Sequence, residues 1–465
     1  MVASFNEELL GWYLITLRLR QAMEAGLPRP PWQKKAELQW AVTIIGNLEQ
    51  ARKVESSRPW AKISIYRVPI SLRGSEDECH YTPMTVSIGP FHRGAKQQLR
   101  AMELHKWRAL QMVLRRSGHH AGLYFDAARA LERRARACYE GGGAPLSAEQ
   151  FAEAMVLDGL FMLELFRGVA AAGGFEALGY SPHDPVFAMN ATMRAAQRDM
   201  LLLENQIPMF VLDRLLGLQL GEPAQRGMAA LLAARFFSLL SPTGGGSGDI
   251  AFDPLPHRGL HCLDFLRRSL LRTGGGASGD GRKQQMVPCV TELKKAGVSV
   301  RRRKGRFWDI RFSNGVLQIP RLLVHDCTRS LFLNLIAFEQ CHLQEARGHI
   351  TAYVVFMDNL INSGEDVGFL HQRGVLEHSL GSDEEVAGLV NRLCRGVTVD
   401  GGYLAALSAE LNRHCGRRWN VWRATLWHHY FSSPWAIISF VAAVLLLILT
   451  FLQTFYGVYS YYRGQ

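Results

Sequence analysis

The chain has 465 residues, 48% hydrophobic and 20% charged. That composition excludes a disordered, collagen-like or mucin-like polymer and predicts a globular chain of about two to three domains' length, at roughly 150 residues each. Lysine and arginine (53) outnumber aspartate and glutamate (41), giving +12, a surplus that suits an anionic partner such as nucleic acid or an inner membrane leaflet. The eight cysteines (Cys79, Cys138, Cys262, Cys289, Cys327, Cys341, Cys394, Cys415) are scattered and form no C-x-x-C pair. This favours reduced thiols over a disulfide framework or zinc ribbon.

In chain order, residues 1–58 read as an N-terminal helical arm. Its apolar stretch Leu9–Leu17 follows Glu7 and Glu8 and precedes Arg18 and Arg20, the reverse of a signal peptide's charge order. Residues 59–431 read as one mainly helical domain. An irregular start is punctuated by Pro69, Pro83 and Pro90. Helices follow over Gln97–Arg116, Leu123–Cys138 and Phe151–Phe166, the last opened by Ser147 with Gln150 at capping-box spacing. A long helical stretch is expected from Asp184 to about Leu218, interrupted at Pro208. The glycine-rich segments Gly244–Gly248 and Gly274–Gly281 read as loops flanking a short helix at Leu260–Leu271. Strand residues recur at Val298–Arg302, Phe307–Phe312 and Val316–Ile319, with the hairpin signal Asn314-Gly315, and predict a β-meander at about 298–320. Helices return from Ser330 to about Cys415, and no fixed-period repeat is present.

No charged residue occurs from Ser432 to Tyr462. The 22 residues Trp435–Tyr456 would span about 33 Å as a helix, enough for a hydrocarbon core of about 30 Å. Trp435 at one end and Tyr456, Tyr459, Tyr461 and Tyr462 at the other suit the two interfaces. Residues 432–456 are therefore expected to form a transmembrane helix, membrane-embedded over 434–456, with 457–465 a short tail. Arg413, Arg417, Arg418 and Arg423 flank one side and Arg463 alone the other, which predicts a cytosolic body anchored by its tail in the plasma membrane or an endomembrane. In that orientation the sequon Asn190-Ala191-Thr192 stays unmodified. The fold class is thus mainly α: a large helical domain, a small antiparallel β-meander or hairpin, and one C-terminal transmembrane helix.

Catalytic and cofactor signatures are absent. Gly274–Lys283 lacks the G-K-[ST] ending of a phosphate loop, no G-x-S-x-G or H-E-x-x-H occurs, and the pairs His119-His120 and His428-His429 would point about 100° apart on a helix. No catalytic, cofactor or metal residue is assigned. Two groups of polar residues stand out. Asp158, Glu164, Asp199 and Glu204, with Asn205 and Gln206, lie in apolar surroundings and must be paired or shifted in pKa. They read first as a structural polar network with Arg167, Arg194 and Arg198, and alternatively as a carboxylate-lined enzyme pocket. The run Arg301, Arg302, Arg303, Lys304 and Arg306, with Phe307 and Trp308, reads as a solvated hairpin tip or as a surface for a protein partner or anionic lipid. A membrane anchor makes nucleic acid the least favoured partner.

Several blocks together resemble the plant domain of unknown function 247 (DUF 247) family. They include Ile65-Tyr66-Arg67-Val68-Pro69, Val86-Ser87-Ile88-Gly89-Pro90-Phe91-His92, Met155–Phe161, Asp199-Met200-Leu201-Leu202-Leu203-Glu204-Asn205-Gln206-Ile207-Pro208, Asn314–Pro320, Asn334–Gln340 and Met357–Ile361. Leu160 stands where the family often has Cys. The resemblance implies a plant-specific protein, membrane-associated through its C-terminal span and without an established enzymatic activity. Some grass members are linked to pollen-side self-incompatibility, others to stress and development. No catalytic residue is carried over. The reading is a single-pass, non-enzymatic recognition or signalling protein; the alternatives are an enzyme with that carboxylate pocket or a basic membrane-surface scaffold.

Overall fold

A computed structural model describes residues 39–40, 42–50, 52, 63–74, 76–94, 96–221, 227–240, 242, 260–271, 283–305, 308–342, 348–397, 403–416 and 434–463. The chain divides into two units, 1–62 and 63–465. In the first, residues 39–40, 42–50 and 52 are helical; the rest of the expected arm, and both glycine-rich segments, lie outside the described residues.

The second unit opens with extended chain and a single helical turn, Glu78–Tyr81. Helix α1 (Arg100–Ser117) ends where Gly118 takes the left-handed conformation, φ 68°, a common helix stop. Helix α2 (Ala121–Arg136) follows. Helix α3 (Ala148–Ala170) starts at Ser147, whose hydroxyl accepts from the Gln150 N–H while the Gln150 side chain returns to the Ser147 N–H. Its apolar residues run all round the helix, and Ala154–Phe166 are buried throughout. A helix apolar on every face has to sit in the middle of a core. Helices α1, α2, α5 (Met209–Leu220) and α6 (Met228–Phe236) pack around it.

Helix α4 (Asn190–Asp199) stops at Asp199, and residues 200–208 are not helical. The stretch expected to run to about Leu218 with an interruption at Pro208 is two helices joined by the irregular residues 200–208, and Pro208 caps α5. A second group of helices gathers on α9 (Thr328–Cys341): α7 (Cys262–Leu271), α10 (His349–Leu360) and α12 (Asp383–Leu393). Helix α11 (Gly364–Gln372) packs on α12 and on α8 (Val290–Lys295). Helix α13 (Ala405–Cys415) lies against the small sheet.

That sheet is not a meander. Its strands β1 (Ser299–Arg303), β2 (Arg311–Ser313) and β3 (Val316–Pro320) are ordered β1-β3-β2. The Asn314-Gly315 turn forms as expected, with φ of 50° and 74°, and joins β2 to β3 antiparallel. Strand β1 pairs parallel to β3. Burial explains the order: Leu317, Ile319 and Pro320 make β3 the apolar centre, while β1 and β2 carry Arg301, Arg302 and Arg311 at exposed edges, where charge discourages further strand pairing. A second parallel pair, β4 (Leu322–Val324) with β5 (Leu376–His378), had no clear signal in the sequence.

Helix α14 (Pro434–Arg463) begins on proline, which suits a first helical turn. Its 22 residues Ile438–Tyr459 have a mean hydropathy of 2.4 and are wholly exposed. The helix is long and apolar enough to cross a membrane. All eight cysteines are free thiols; only Cys262 is buried, Cys79 is exposed and the other six are partly buried.

Gly168 on α3 tests the tightness of the core. A Cβ there would lie 2.1 Å from the Phe175 ring, which is itself held by Tyr180 and Phe187. Gly168→Ala is expected to lower stability by about 1–3 kcal/mol. An unchanged chemical-denaturation midpoint would show that the ring can move aside.

Candidate functional site

The irregular segment after α4 is held by its own side chains. Asn205 Nδ2 donates to the carbonyls of Asp199 (2.9 Å) and Val86 (3.0 Å). Gln206 Nε2 donates to the carbonyls of Met200 and Leu202, both at 2.7 Å. These bonds satisfy carbonyls that a continuing helix would have used, so the side chains terminate the helix. Their amide oxygens reach outward: Asn205 Oδ1 accepts from the Ile88 N–H (2.6 Å) and Gln206 Oε1 from the Leu263 N–H (3.2 Å) at the start of α7.

Two of the carboxylates, Asp199 and Asp158, bind the same extended segment, residues 84–89. Asp199 Oδ2 accepts the backbone N–H groups of Met84, Thr85 and Val86 at 2.6–3.0 Å, and Oδ1 accepts from Arg198 at 2.7 Å. Glu204 accepts the Val68 N–H at 2.7 Å, pairs with Arg73, and lies 3.2 Å from His92 Nε2. Asp158, fully buried on α3, accepts the Gly89 N–H at 2.9 Å and pairs with Lys106 Nζ at 2.6 Å. Burial raises the Asp158 carboxyl pKa, with the Lys106 ammonium pulling the other way. Burial also raises that of Asp199, against its three backbone donors. At Glu204 burial is outweighed by the bonds from His92, Arg73 and Val68, and the pKa is lowered.

Gly89 sits at the crossing with φ 71°, where a Cβ would come within 2.6 Å of the Gln206 carbonyl oxygen. Glu164 stands apart from this group. It is clamped by both Arg116 nitrogens (2.9 and 2.5 Å) and the Tyr180 hydroxyl (2.9 Å), with Arg167 3.9 Å away.

Five of the six polar residues thus converge and Glu164 does not. All are enclosed and partnered, as a structural network requires; no open cleft is built from them. Arg198 was foreseen as a partner. Lys106, Arg116 and Arg73 were not, and the one available hint was Lys106 among apolar neighbours on α1. Asn205 and Gln206 thus form a helix stop. A hollow of about 130 Å³ is lined by Ser71–Gly74, Tyr81, Leu333, Arg392, Leu393 and Arg395–Val397, well under the roughly 300 Å³ of a small-molecule site.

Arg301, Arg302 and Arg303 lie on strand β1, which pairs parallel to β3 and forms no hairpin tip, and Lys304 directly follows it. Arg301, Arg302 and Lys304 are exposed. Arg303 is tied down, with Nε 3.0 Å from Asp309 Oδ2 and Nη1 3.0 Å from Gln318 Oε1. Trp308 packs edge-on against Tyr403, centroids 5.6 Å apart, and against the core, so it is a packing residue. Arg306 and Phe307 lie outside the described residues. Among the described residues of the run, the exposed cations are Arg301, Arg302 and Lys304.

The family described as DUF247, "Plant protein of unknown function", matches residues 65–449, and the chain belongs to it. It is 29% identical over 432 residues to UPF0481 protein At3g47200 of Arabidopsis thaliana, covering 86% of this chain and 87% of that one. It is 24% identical to Putative UPF0481 protein At3g02645 of the same plant, covering 91% and 95%. No solved structure matches.

Two outcomes follow from the enclosed polar residues. Asn205→Ala removes one acceptor and two donor contacts and strands buried backbone groups, each worth about 1–3 kcal/mol. A stability loss above about 3 kcal/mol is expected in denaturant titration, and a loss below about 1 kcal/mol would contradict the role given to Asn205. His261 is fully buried, with Nε2 2.9 Å from the Ser64 carbonyl oxygen and Nδ1 3.4 Å from the Asp264 N–H. Burial pushes its pKa down to about 4 from 6.5. Between those values the unfolded chain binds the extra proton, so stability falls as pH drops from about 6.5 to 4, by up to about 3 kcal/mol. His261→Gln should flatten that part of the stability–pH curve, and an unaltered slope would assign the acid sensitivity elsewhere.

Proposed function

We propose that this chain is a single-pass membrane protein that works by recognition, not catalysis. Its helical domain faces the cytosol and docks a protein partner, in a signalling role of the kind that self-incompatibility, stress or development calls on. The observation that carries the reading is the bare apolar helix: 22 residues of mean hydropathy 2.4 with none of the span buried. Apolar surface of that extent is unfavourable in water by about 25 cal/mol per Å² and is accommodated in lipid. The enclosed carboxylates support a non-catalytic interior, because a general acid or base must reach its substrate. The docking face we assign is the outer edge of β1, with Arg301 and Arg302, and Lys304 just after it.

The same three cations would also attract an anionic leaflet, at about 1 kcal/mol for each residue near the surface. One set of variants separates these readings. Removing residues 434–463 should move the protein from the membrane to the soluble fraction, and retention on membranes would overturn the anchor. Arg301→Glu with Arg302→Glu should leave thermal stability unchanged and reduce cross-linking to cytosolic partners at least tenfold. Loss of phosphatidylserine-vesicle binding with partner capture intact would instead make β1 a lipid-facing edge. Protease added to sealed microsomes should digest the helical domain; protection would reverse the topology and make Asn190 a glycan acceptor.

A further inference from the structure

Three side chains outside the network above meet where α11, β5 and α12 come together. His371 lies in the last turn of α11. The chain then reverses through Gly374 at φ 66°, whose N–H bonds the His371 carbonyl at 2.8 Å while the Val375 N–H bonds the Leu370 carbonyl at 3.0 Å. This reversal sends β5 back along the helix and ends it at His378, which is fixed in register opposite Val324 of β4. Ser382 then caps α12 through the Glu385 N–H (3.2 Å) and sets Asp383 at the first helical position.

The three side chains lie close together. His378 Nε2 is 2.9 Å from Asp383 Oδ1. The two imidazole rings are 5.6 Å apart at 72°. One ligand atom from each residue lies within 4.8 Å of the others. The other nitrogen of the His378 ring, Nδ1, is buried without a hydrogen-bond partner. Gly368, one turn before His371, admits Asp383 against α11: a Cβ there would lie 3.0 Å from Asp383 Oδ2.

We propose that His371, His378 and Asp383 form a zinc site, with the fourth position taken by water. Two imidazoles and one carboxylate are a zinc-type donor set, whereas calcium and magnesium call for oxygen ligands. Zinc at about 2.0–2.2 Å holds tetrahedral ligand atoms roughly 3.3–3.6 Å apart, so closing the site takes about 1 Å of side-chain movement. Zinc bound at His378 Nε2 takes the place of the hydrogen on that nitrogen, and the neutral imidazole carries its hydrogen on Nδ1 instead. The bound ion pins a helix end, a strand end and a helix start to one another, a structural clip with an open coordination position.

The test uses the full chain in detergent, purified without a polyhistidine tag, stripped with chelator and titrated with zinc alone against a chromophoric chelator. One zinc per chain is expected. His371→Ala, at an exposed position, should weaken binding at least 100-fold, and Asp383→Asn at least tenfold. Thermal unfolding should shift upward with zinc in the parent chain, and shift neither with magnesium nor in His371→Ala. Substoichiometric binding, or one equivalent that survives the His371→Ala, His378→Ala double variant, would overturn the site.

Discussion

The fold depends on one arrangement: the side chains of residues 199–206 bond the backbone of residues 84–89. Asp199 and Asn205 together take the N–H groups of Met84, Thr85, Val86 and Ile88, and Asp158 takes that of Gly89. Residues 84–89 are not part of any sheet or helix, yet Val86 and Ile88 are fully buried. Extended backbone inside a core has no ladder to satisfy it, and each orphaned group costs about as much as a lost hydrogen bond. Carboxylate and amide side chains supply the missing partners. Asp199 and Asp158 remain inside despite unfavourable burial because they are the acceptors that this backbone lacks.

Much of this architecture could be read from the sequence. The Ser147–Gln150 box opens α3 where local chemistry requires, the Asn314-Gly315 turn takes the two positive φ values a tight hairpin needs, and the apolar run at the C-terminus forms one long helix. The helix stop at Asp199 was not legible. Met200, Leu201, Leu202 and Leu203 continue a good helical pattern, and what ends it is the capture of carbonyls by Asn205 and Gln206. Competition between side-chain and backbone hydrogen bonds leaves no periodicity to detect. The order β1-β3-β2 was hidden for a related reason. Short strands announce themselves locally, but which strand takes the centre depends on what buries it.

The candidate site residues divide in the same way. The polar block was recognisable as a network because carboxylates within apolar stretches must be partnered. The partners themselves, Lys106, Arg116 and Arg73, come from elements far away in sequence. In the basic run, charge was visible and position was not: Arg303 and Trp308 turn toward Asp309, Gln318 and Tyr403, leaving a smaller exposed face. His371, His378 and Asp383 have spacings that match no common metal motif. Only the reversal at Gly374 and the cap at Ser382 bring them together.

The separation between residues 84–89 and their acceptors also fixes a temporal order during synthesis. The bonds from Asp199 and Asn205 to this segment bridge 113 to 119 positions of chain. At roughly 5–20 residues per second, a nascent chain waits on the order of ten seconds between emergence of the donors and of the groups that receive them. Throughout that interval, helices α1 to α3 can form but cannot close over residues 84–89 without stranding their amides. The amides of residues 84–88 therefore gain their full set of buried acceptors only once Asn205 has cleared the exit tunnel.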